Sequence, residues 1–598
     1  MAALHDLHDW LNALAAAAPL ENAHLVSDVD KLPWALGRGV VAAVEGDARL
    51  GRWSVRVRVG VSHRFPNQLP HVQLVRRPEV FQGCRINHLE RNQGVCFTAT
   101  REVVINRTQP VQVLRQSLYR ALRTLKHAWT RPQDVSFFDE FSAYWSAQHD
   151  DPLLRLRSFI TVDSRLREVL AWRAGNLQRS RSAGGRTGSL HYKWVADDAA
   201  APSQFAGRTE RQPESSALYL PLDPDRVRRT PEPSLPWSVT ALRRYVRATL
   251  TLEDLAELDR LLVSRNGTQD LVVLAMPRPG GTGVGTRTLV ALHLRGMRRG
   301  HALSTTSDLD RAEANPLEVQ RLERAFVMQR GGSHVELANR RVLLIGCGAI
   351  GGHLAFALAA AGVGHLTLVD NDVLSEENTF RHALGRAYVG KSKVRALGHE
   401  LTQRFPYLEI GVLRETSDVA LDDGQLDLTT FDLVIGATGD PTTDLDLNER
   451  LRALHTPPTA LFTWLEPLGV GGHALTLVPG YAGCVACLYT DHHHPLHSRA
   501  ALVAAGQEFK GNEVGCGSAY TPFADLDARR SAEMAARQAV ELLEGRANGS
   551  MVFTWKGDAR AFLDAGHRLA PRFTATQDEL GNGHGFASVD CPVCGGRP

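Results

Sequence analysis

The chain reads as α/β, with a doubly wound parallel sheet in its C-terminal half, an α+β unit at its N-terminus and a mixed α/β stretch between them. Three features lead to that expectation: a βαβ pattern that opens at Arg341, a succession of strands and one amphipathic helix before residue 130, and a length of 598 residues. That length is several times an ordinary domain and implies several folding units.

Taken in order, RWSVRVRVGVS alternates apolar and basic positions from Trp53 to Val61, the period of a half-buried strand. HVQLVRR continues the pattern after a proline-bounded turn. Val111, Leu114, Leu118, Leu122 and Leu125 then recur at helical spacing behind the segment GVCFTA, which puts Cys96 on the loop side of a sheet and helix scaffold. Between 174 and 216 the sequence fills with Gly, Ser, Arg and Pro, the composition of loops or a linker. From 217 to 323 the strand-like runs ALYLPL, DLVVLAMP and TLVALHL surround a helical LEDLAELDRLLV, with no chemical motif. At Arg341, RVLLIG reads as a buried strand, GAIGGHLAFALAAAGV as a helix and HLTLVDND as the next strand. The expected domains are therefore 1–150, 151–323 and 324–598.

Hydrophobic residues make up 43% and charged residues 22%, an ordinary globular balance. A formal net charge of +3 argues against a dedicated nucleic-acid binder and names no partner by electrostatics. No apolar run approaches the length of a membrane span, and the first residues carry acids and histidines in place of a basic leader, so a soluble, cytoplasmic protein is expected. The 8 cysteines include two CxxC pairs, which in a reducing compartment read as metal ligands.

Gly346, Gly348 and Gly351 form a GxGxxG directly after a strand and opening a helix. There the glycines let backbone N–H groups approach a phosphate and the helix dipole favours its charge. Asp370 ends the second strand, where a carboxylate accepts ribose hydroxyls. These features fit a nicotinamide-dependent oxidoreductase equally well. Cys484, Cys487, Cys591 and Cys594 can close a tetrahedral Zn²⁺ site with no open position, a structural metal rather than a catalytic one. Asp491, His492, His493 and His494 make a polar histidine-rich loop for which the four-cysteine site leaves no metal to explain. Cys516, flanked by glycines, is expected on an accessible turn where a thiolate can act as a nucleophile. Cys347, inside the glycine loop, reads as a small packing residue.

The segment LVDNDVLSEENTFRHALGRAYVGKSKV resembles the motif row of the bacterial thiamin and molybdopterin adenylyltransferases and of ubiquitin-activating (E1) enzymes, and it breaks the tie. The resemblance covers the last 260 or so residues and includes zinc knuckles like those above. It implies a Rossmann-like adenylation domain in which Asp370 holds the ribose, Asn378, Arg381 and Lys393 contact the phosphates of ATP, and Asp440 holds Mg²⁺. His382 stands where the family often has glutamine. Lys391 competes with Lys393 for the lysine role, and Arg330 resembles the arginine that such homodimers lend to the partner's site. In the related enzymes a loop at Cys516 supplies a thioester cysteine.

The N-terminal order of strand, proline turn, RINHLERNQGVCFTA and helices resembles ubiquitin-conjugating (E2) domains, with Cys96 as the nucleophile. The usual His-Pro-Asn triplet is present only as Asn87-His88, without the proline; Asn87 is the candidate oxyanion stabiliser, and Cys84 is a rival nucleophile. An E2-like unit ahead of an E1-like unit resembles the E1–E2 fusion proteins of bacterial anti-phage CBASS operons. That resemblance implies ATP-dependent activation of a protein C-terminus, on a cGAS-like nucleotidyltransferase or a ubiquitin-like protein. The acyl group would then pass through Cys516 and Cys96 to a target amine. It further implies a homodimer. Alternatives are a biosynthetic enzyme activating a sulfur-carrier protein and an NAD-dependent oxidoreductase. No JAB-type isopeptidase signature is present.

Overall fold

The computed structural model describes residues 4–16, 20–79, 87–90, 92–98, 103–130, 138, 141, 145, 155–173, 192–197, 215–227, 238–265, 267–279, 281, 283–298, 300–306, 312–509, 511–512, 519–520, 522–595 and 597. It divides into two compact units, 1–201 with 209–323 and 324–598.

In the first unit, helix α1 (Leu4–Ala15) precedes strands β1 (Leu20–Leu25), β2 (Val40–Leu50), β3 (Trp53–Ser62) and β4 (His71–Arg76), followed by helix α2 (Pro110–Thr130). The four strands form an antiparallel meander in chain order, with Val44 opposite Val59 and Val57 opposite Leu74. Every second residue of β3 faces inward, and Val55, Val57, Val59 and Val61 pack with Leu7, Leu11 and Leu14 of α1 and Leu114, Leu118 and Leu125 of α2. The alternation read from the sequence is thus the face that the two helices cover. The opposite face carries a half-buried charge ladder in which Glu45 accepts from both Arg56 and Arg58.

The middle stretch is mixed α/β, as expected, with its strands closed into a barrel and two helices packed on it. Strands β5 (Arg155–Ser158), β6 (Arg167–Arg173), β7 (Tyr192–Asp197), β8 (Ser215–Pro221), β9 (Gln269–Pro277), β10 (Arg287–Arg295) and β11 (Glu313–Arg321) run in the order β10, β11, β5, β7, β6, β8, β9. Strand β7 falls inside the stretch expected to be linker; six residues are too few to show a period against that composition. In β9, Leu271, Val273 and Ala275 belong to one apolar cluster with Leu156, Ile160 and Ala291. Val272, Leu274 and Met276 belong to another with helices α3 (Val239–Thr249) and α4 (Leu252–Val263). Burial on both faces is why these strands read as continuous apolar runs. Phe141 and Trp145, which follow α2 in the chain, pack into the second cluster, and the Trp145 indole N–H donates to the Leu317 carbonyl at 3.0 Å.

The second unit starts with helix α5 (Arg324–Gly331) and is built on a seven-stranded sheet. Its strands are β12 (Arg341–Ile345), β13 (His365–Val369), β14 (Glu409–Leu413), β15 (Leu433–Gly436), β16 (Thr459–Leu465), β17 (Gly471–Leu477) and β18 (Met551–Lys556). Their order is β14, β13, β12, β15, β16, β17, β18; the first five are parallel and the last two antiparallel. Helices α6 (Ala349–Ala361), α7 (Lys393–Arg404), α8 (Pro441–Arg452) and α9 (Asp525–Leu543) complete the framework. Small residues Ala532, Ala535, Ala536 and Ala539 of α9 share a core with Leu354, Ala355 and Leu358 of α6. The strand order reverses at β12, between β13 and β15, which is where an open α/β sheet leaves a crevice at the carboxyl ends of its strands.

Candidate functional site

Three strand ends meet at that crevice. After β12 the chain turns sharply at Gly346, whose φ of 89° suits glycine. A Cβ there would lie 2.6 Å from the Ala437 carbonyl oxygen, and a Cβ at Gly351 would lie 1.9 Å from the Gly346 carbonyl oxygen. A Cβ at Gly348, by contrast, would meet nothing within 4 Å. The first and third glycines are therefore demanded by the protein's own packing, and the middle one leaves open space for a ligand to approach the backbone.

Asp370, at the end of β13, holds this loop. Its two carboxylate oxygens accept from the N–H groups of Cys347 at 2.7 Å and Asp372 at 2.8 Å. Each oxygen retains a lone pair for a ribose hydroxyl. Lys393 is 8% exposed and its Nζ lies 2.7 Å from Asp372, whereas Lys391 is exposed and stands over the Tyr388 ring. The two lysines thus differ in setting: one is buried and aimed by a carboxylate, and the other is solvated. Asn378 serves the loop itself, its side-chain oxygen accepting the Ser375 N–H at 3.3 Å in a reciprocal cap. The Arg381 guanidinium stands 4.8 Å from the Phe523 ring centre. Arg330 lies at the end of α5 against Phe326.

His382 ties these segments together. Its Nδ1 accepts the Leu384 N–H at 3.0 Å, so its Nε2 carries the proton and donates to the Cys347 carbonyl at 2.7 Å. Burial depresses its pKa, in keeping with that neutral form. Cys347 is fully buried, and burial pushes its thiol well up, which suits packing and not attack.

Asp440 caps α8. Its Oδ1 accepts from Thr442 N–H at 3.2 Å and its Oδ2 from Thr443 N–H at 3.1 Å and the Thr443 hydroxyl at 2.7 Å. The Thr443 hydroxyl above all holds this exposed carboxyl below the usual range, so it is ionised and has lone pairs for a cation. One turn on, Asp444 is buried beneath Thr438, and burial raises its pKa to about 7. Lys393's partner Asp372, the His382 bridge, Phe523 and Asp444 were all missed from the sequence. Of these, Asp372 left a signal there as the second acid of Asp370-Asn371-Asp372, and His382 as the residue in the place of the family's glutamine.

The four CxxC thiols converge, although Cys484 and Cys591 are 107 residues apart. All four sulfurs lie within 4.8 Å of one another, with Cys484 to Cys591 at 3.7 Å and Cys487 to Cys594 at 3.4 Å. A tetrahedron of thiolates about 2.3 Å from zinc has sulfurs about 3.8 Å apart, so the cage is the right size. The thiols are buried, and the Cys484 thiol's hydrogen bond draws the Cys487 pKa down. Asn448 of α8 accepts the Val485 N–H at 3.0 Å and fixes the first knuckle. Among the described residues this is the one cluster suited to a metal; His492, His493 and His494 are exposed and take no part.

In the first unit Cys96 is exposed, and its N–H donates to the His88 carbonyl at 2.7 Å. Leu89 pairs with Val95, so His88 and Leu89 run beside Cys96 and Val95, and the preceding Asn87 is 2% exposed. His88 has a φ of 60°, and the segment turns back where the Gln93 N–H donates to the Glu90 carbonyl at 2.8 Å. Cys84 and Cys516 lie outside the described residues.

Residues 323–542 match the ThiF family and residues 42–154 match the Prokaryotic E2 family B. The second unit is thus an E1-like domain of the ThiF class. With the E2-family domain ahead of it, the chain is an E1–E2 fusion. It is 29% identical over 240 residues to the ATP-dependent ubiquitin transferase-like protein Cap2 of Pseudomonas aeruginosa, covering 38% of this chain and 41% of that protein. It is 23% identical over 512 residues to the Cap2 of Vibrio cholerae, covering 80% of this chain and 84% of that one. The match therefore spans less than half of the Pseudomonas relative and most of the Vibrio one. The sulfur carrier protein ThiS adenylyltransferase of Escherichia coli is 32% identical over 163 residues, 27% of this chain and 62% of that protein. A structure of Escherichia coli MccB with ATP aligns with a TM-score of 0.32 at 18% identity, covering 45% of this chain and 70% of that one. No helix among the described residues is long and apolar enough to cross a membrane.

Proposed function

We propose that the chain activates the C-terminus of a partner protein with ATP and conjugates it to an amine through two cysteine thioesters. The observation that carries the first step is the convergence of the open Gly348 turn, Asp370 and the buried Lys393, held by the exposed Asp372, at the switch point of the sheet. A carboxylate oxygen of the partner attacks the α-phosphorus of ATP; that P–O bond forms, the bond to the β-phosphate bridging oxygen breaks, and pyrophosphate leaves. Negative charge grows on the phosphate oxygens, where the glycine-loop N–H groups, Arg381 and Lys393 offset it, and Asn378 contacts the same phosphates. Asp372 keeps the Lys393 ammonium aimed. Asp440 would hold Mg²⁺, which screens the phosphates when bound. Zinc in the four-cysteine cage is structural.

In the second step a Cys516 thiolate attacks the acyl carbon, forming a thioester and releasing AMP. Transfer to the exposed Cys96, with Asn87 alongside, precedes attack by the target amine, which forms the amide and releases the Cys96 thiol. The partner is a cGAS-like nucleotidyltransferase or a ubiquitin-like protein, the setting is cytoplasmic, and the working form is a homodimer to which Arg330 contributes across the interface. The likeness to Cap2 proteins over both regions supports this reading. The likeness to a ThiS adenylyltransferase favours a second one, activation of a sulfur carrier without the E2-type step, in which Cys96→Ala would retain full activity.

With ATP and the partner, the relay predicts two reductant-sensitive adducts, one lost in Cys516→Ala and the other in Cys96→Ala. Persistence of both in the double variant rules the relay out. ATP–pyrophosphate exchange dependent on the partner carboxylate separates adenylation from nicotinamide chemistry.

A further inference from the structure

We infer that Phe523 is a positioning residue for adenylation, its ring holding the Arg381 guanidinium in place beside the glycine loop; this rests on the assignment of Arg381 to the phosphates. The separation of 4.8 Å lies within the range over which an aromatic face attracts a cation, and both groups are partly buried, where water competes less.

The choice of partner has a chemical consequence. A carboxylate opposite Arg381 would occupy its N–H donors and compete with phosphate for its charge. A ring face offers no hydrogen-bond acceptor, so it restricts the long arginine side chain while leaving the guanidinium donors for the ligand. Rotamer freedom that would otherwise be lost on binding is already restricted in the protein alone.

Phe523 is itself held on both sides. The Pro522 carbonyl accepts the Leu468 N–H at 2.8 Å, which ties the segment to the connection between β16 and β17. Asp525 lies 2.8 Å from His353 Nε2 on α6, the helix that springs from the glycine loop. The Ala524 N–H donates to Asp527 at 3.0 Å, closing the turn between them. The ring also packs against the core shared by α6 and α9. Its position is thereby fixed relative to the loop that the phosphates approach.

The test is a double-mutant cycle on Mg-ATP affinity, measured by titration calorimetry on the full chain. F523L should weaken binding about 3- to 10-fold, and F523Y and F523W should restore it. In an R381A background, F523L should have no further effect, because its influence runs through the guanidinium. Effects of F523L and R381A that multiply would overturn the proposal, as would an F523W chain that melts like wild type yet binds ATP as poorly as F523L. Should F523L fail to fold, F523M fills the volume without a ring and takes its place in the cycle. Wild-type ATP affinity in R381A would overturn the nucleotide assignment itself, an outcome distinct from multiplying effects.

Discussion

His382 shows how one side chain can do the work of two loops. It accepts from Leu384 on one nitrogen and donates to Cys347 on the other, so it fastens the glycine turn to the segment bearing Asn378 and Arg381. A glutamine has the same donor and acceptor and should replace it with little loss, whereas alanine strands both backbone groups at about 1–3 kcal/mol apiece. H382Q should therefore bind ATP within a few-fold of wild type and H382A should not. Because the folded pKa lies below the ordinary 6.5, the folded protein resists protonation here. This contribution to stability is complete above that value and is lost as pH falls below it. Denaturant titrations of H382Q should lack that component.

Asp444 behaves in the opposite sense. Its folded pKa of about 7 stands above an ordinary 3.8, so between those values the folded protein holds a proton that the unfolded chain has released. Stability from this residue accordingly declines as pH rises from about 4 to 7, by something on the order of 4 kcal/mol. D444N should remove that slope and be more stable than wild type at pH 8, as read from denaturant midpoints at both ends of the range.

At the scale of elements, the βαβ start is set by contact distances. The turn from β12 into α6 folds back so tightly that Gly351 touches the Gly346 carbonyl. G351A should cost about 3 kcal/mol and abolish ATP binding, whereas G348A should fold normally and lose only nucleotide affinity. Thermal melting with and without ATP distinguishes the two. These elements were legible because a buried parallel strand, a glycine turn and a helix each leave a local signature. The barrel was not. Its strands pair residues far apart in sequence, β8 with β9 and β11 with β5, and closure is a property of the whole circuit, so the same apolar runs fit a layered sheet equally well.

For the molecule as a whole, the four-cysteine cage joins the connection after β17 to the segment carrying Cys591 and Cys594 and sits on the core that includes Val552 and Phe586. Chelation, or C487S, should release zinc at about one ion per chain and destabilise the second unit by more than about 2 kcal/mol. Elemental analysis and melting curves read both, and unchanged melting after complete zinc loss would contradict a structural metal.

The sequence alone determined what depends on spacing along the chain: the glycine turn, the amphipathic helix behind Cys96, the metal-ligand pairs and the order of the units. The tertiary structure decided what depends on proximity across it. It paired Lys393 with Asp372 and left Lys391 in water, set Phe523 beneath Arg381, buried Asp444 and closed the barrel. The reason is physical: backbone periodicity and turn chemistry are local, while desolvation and charge pairing are fixed only when distant segments pack.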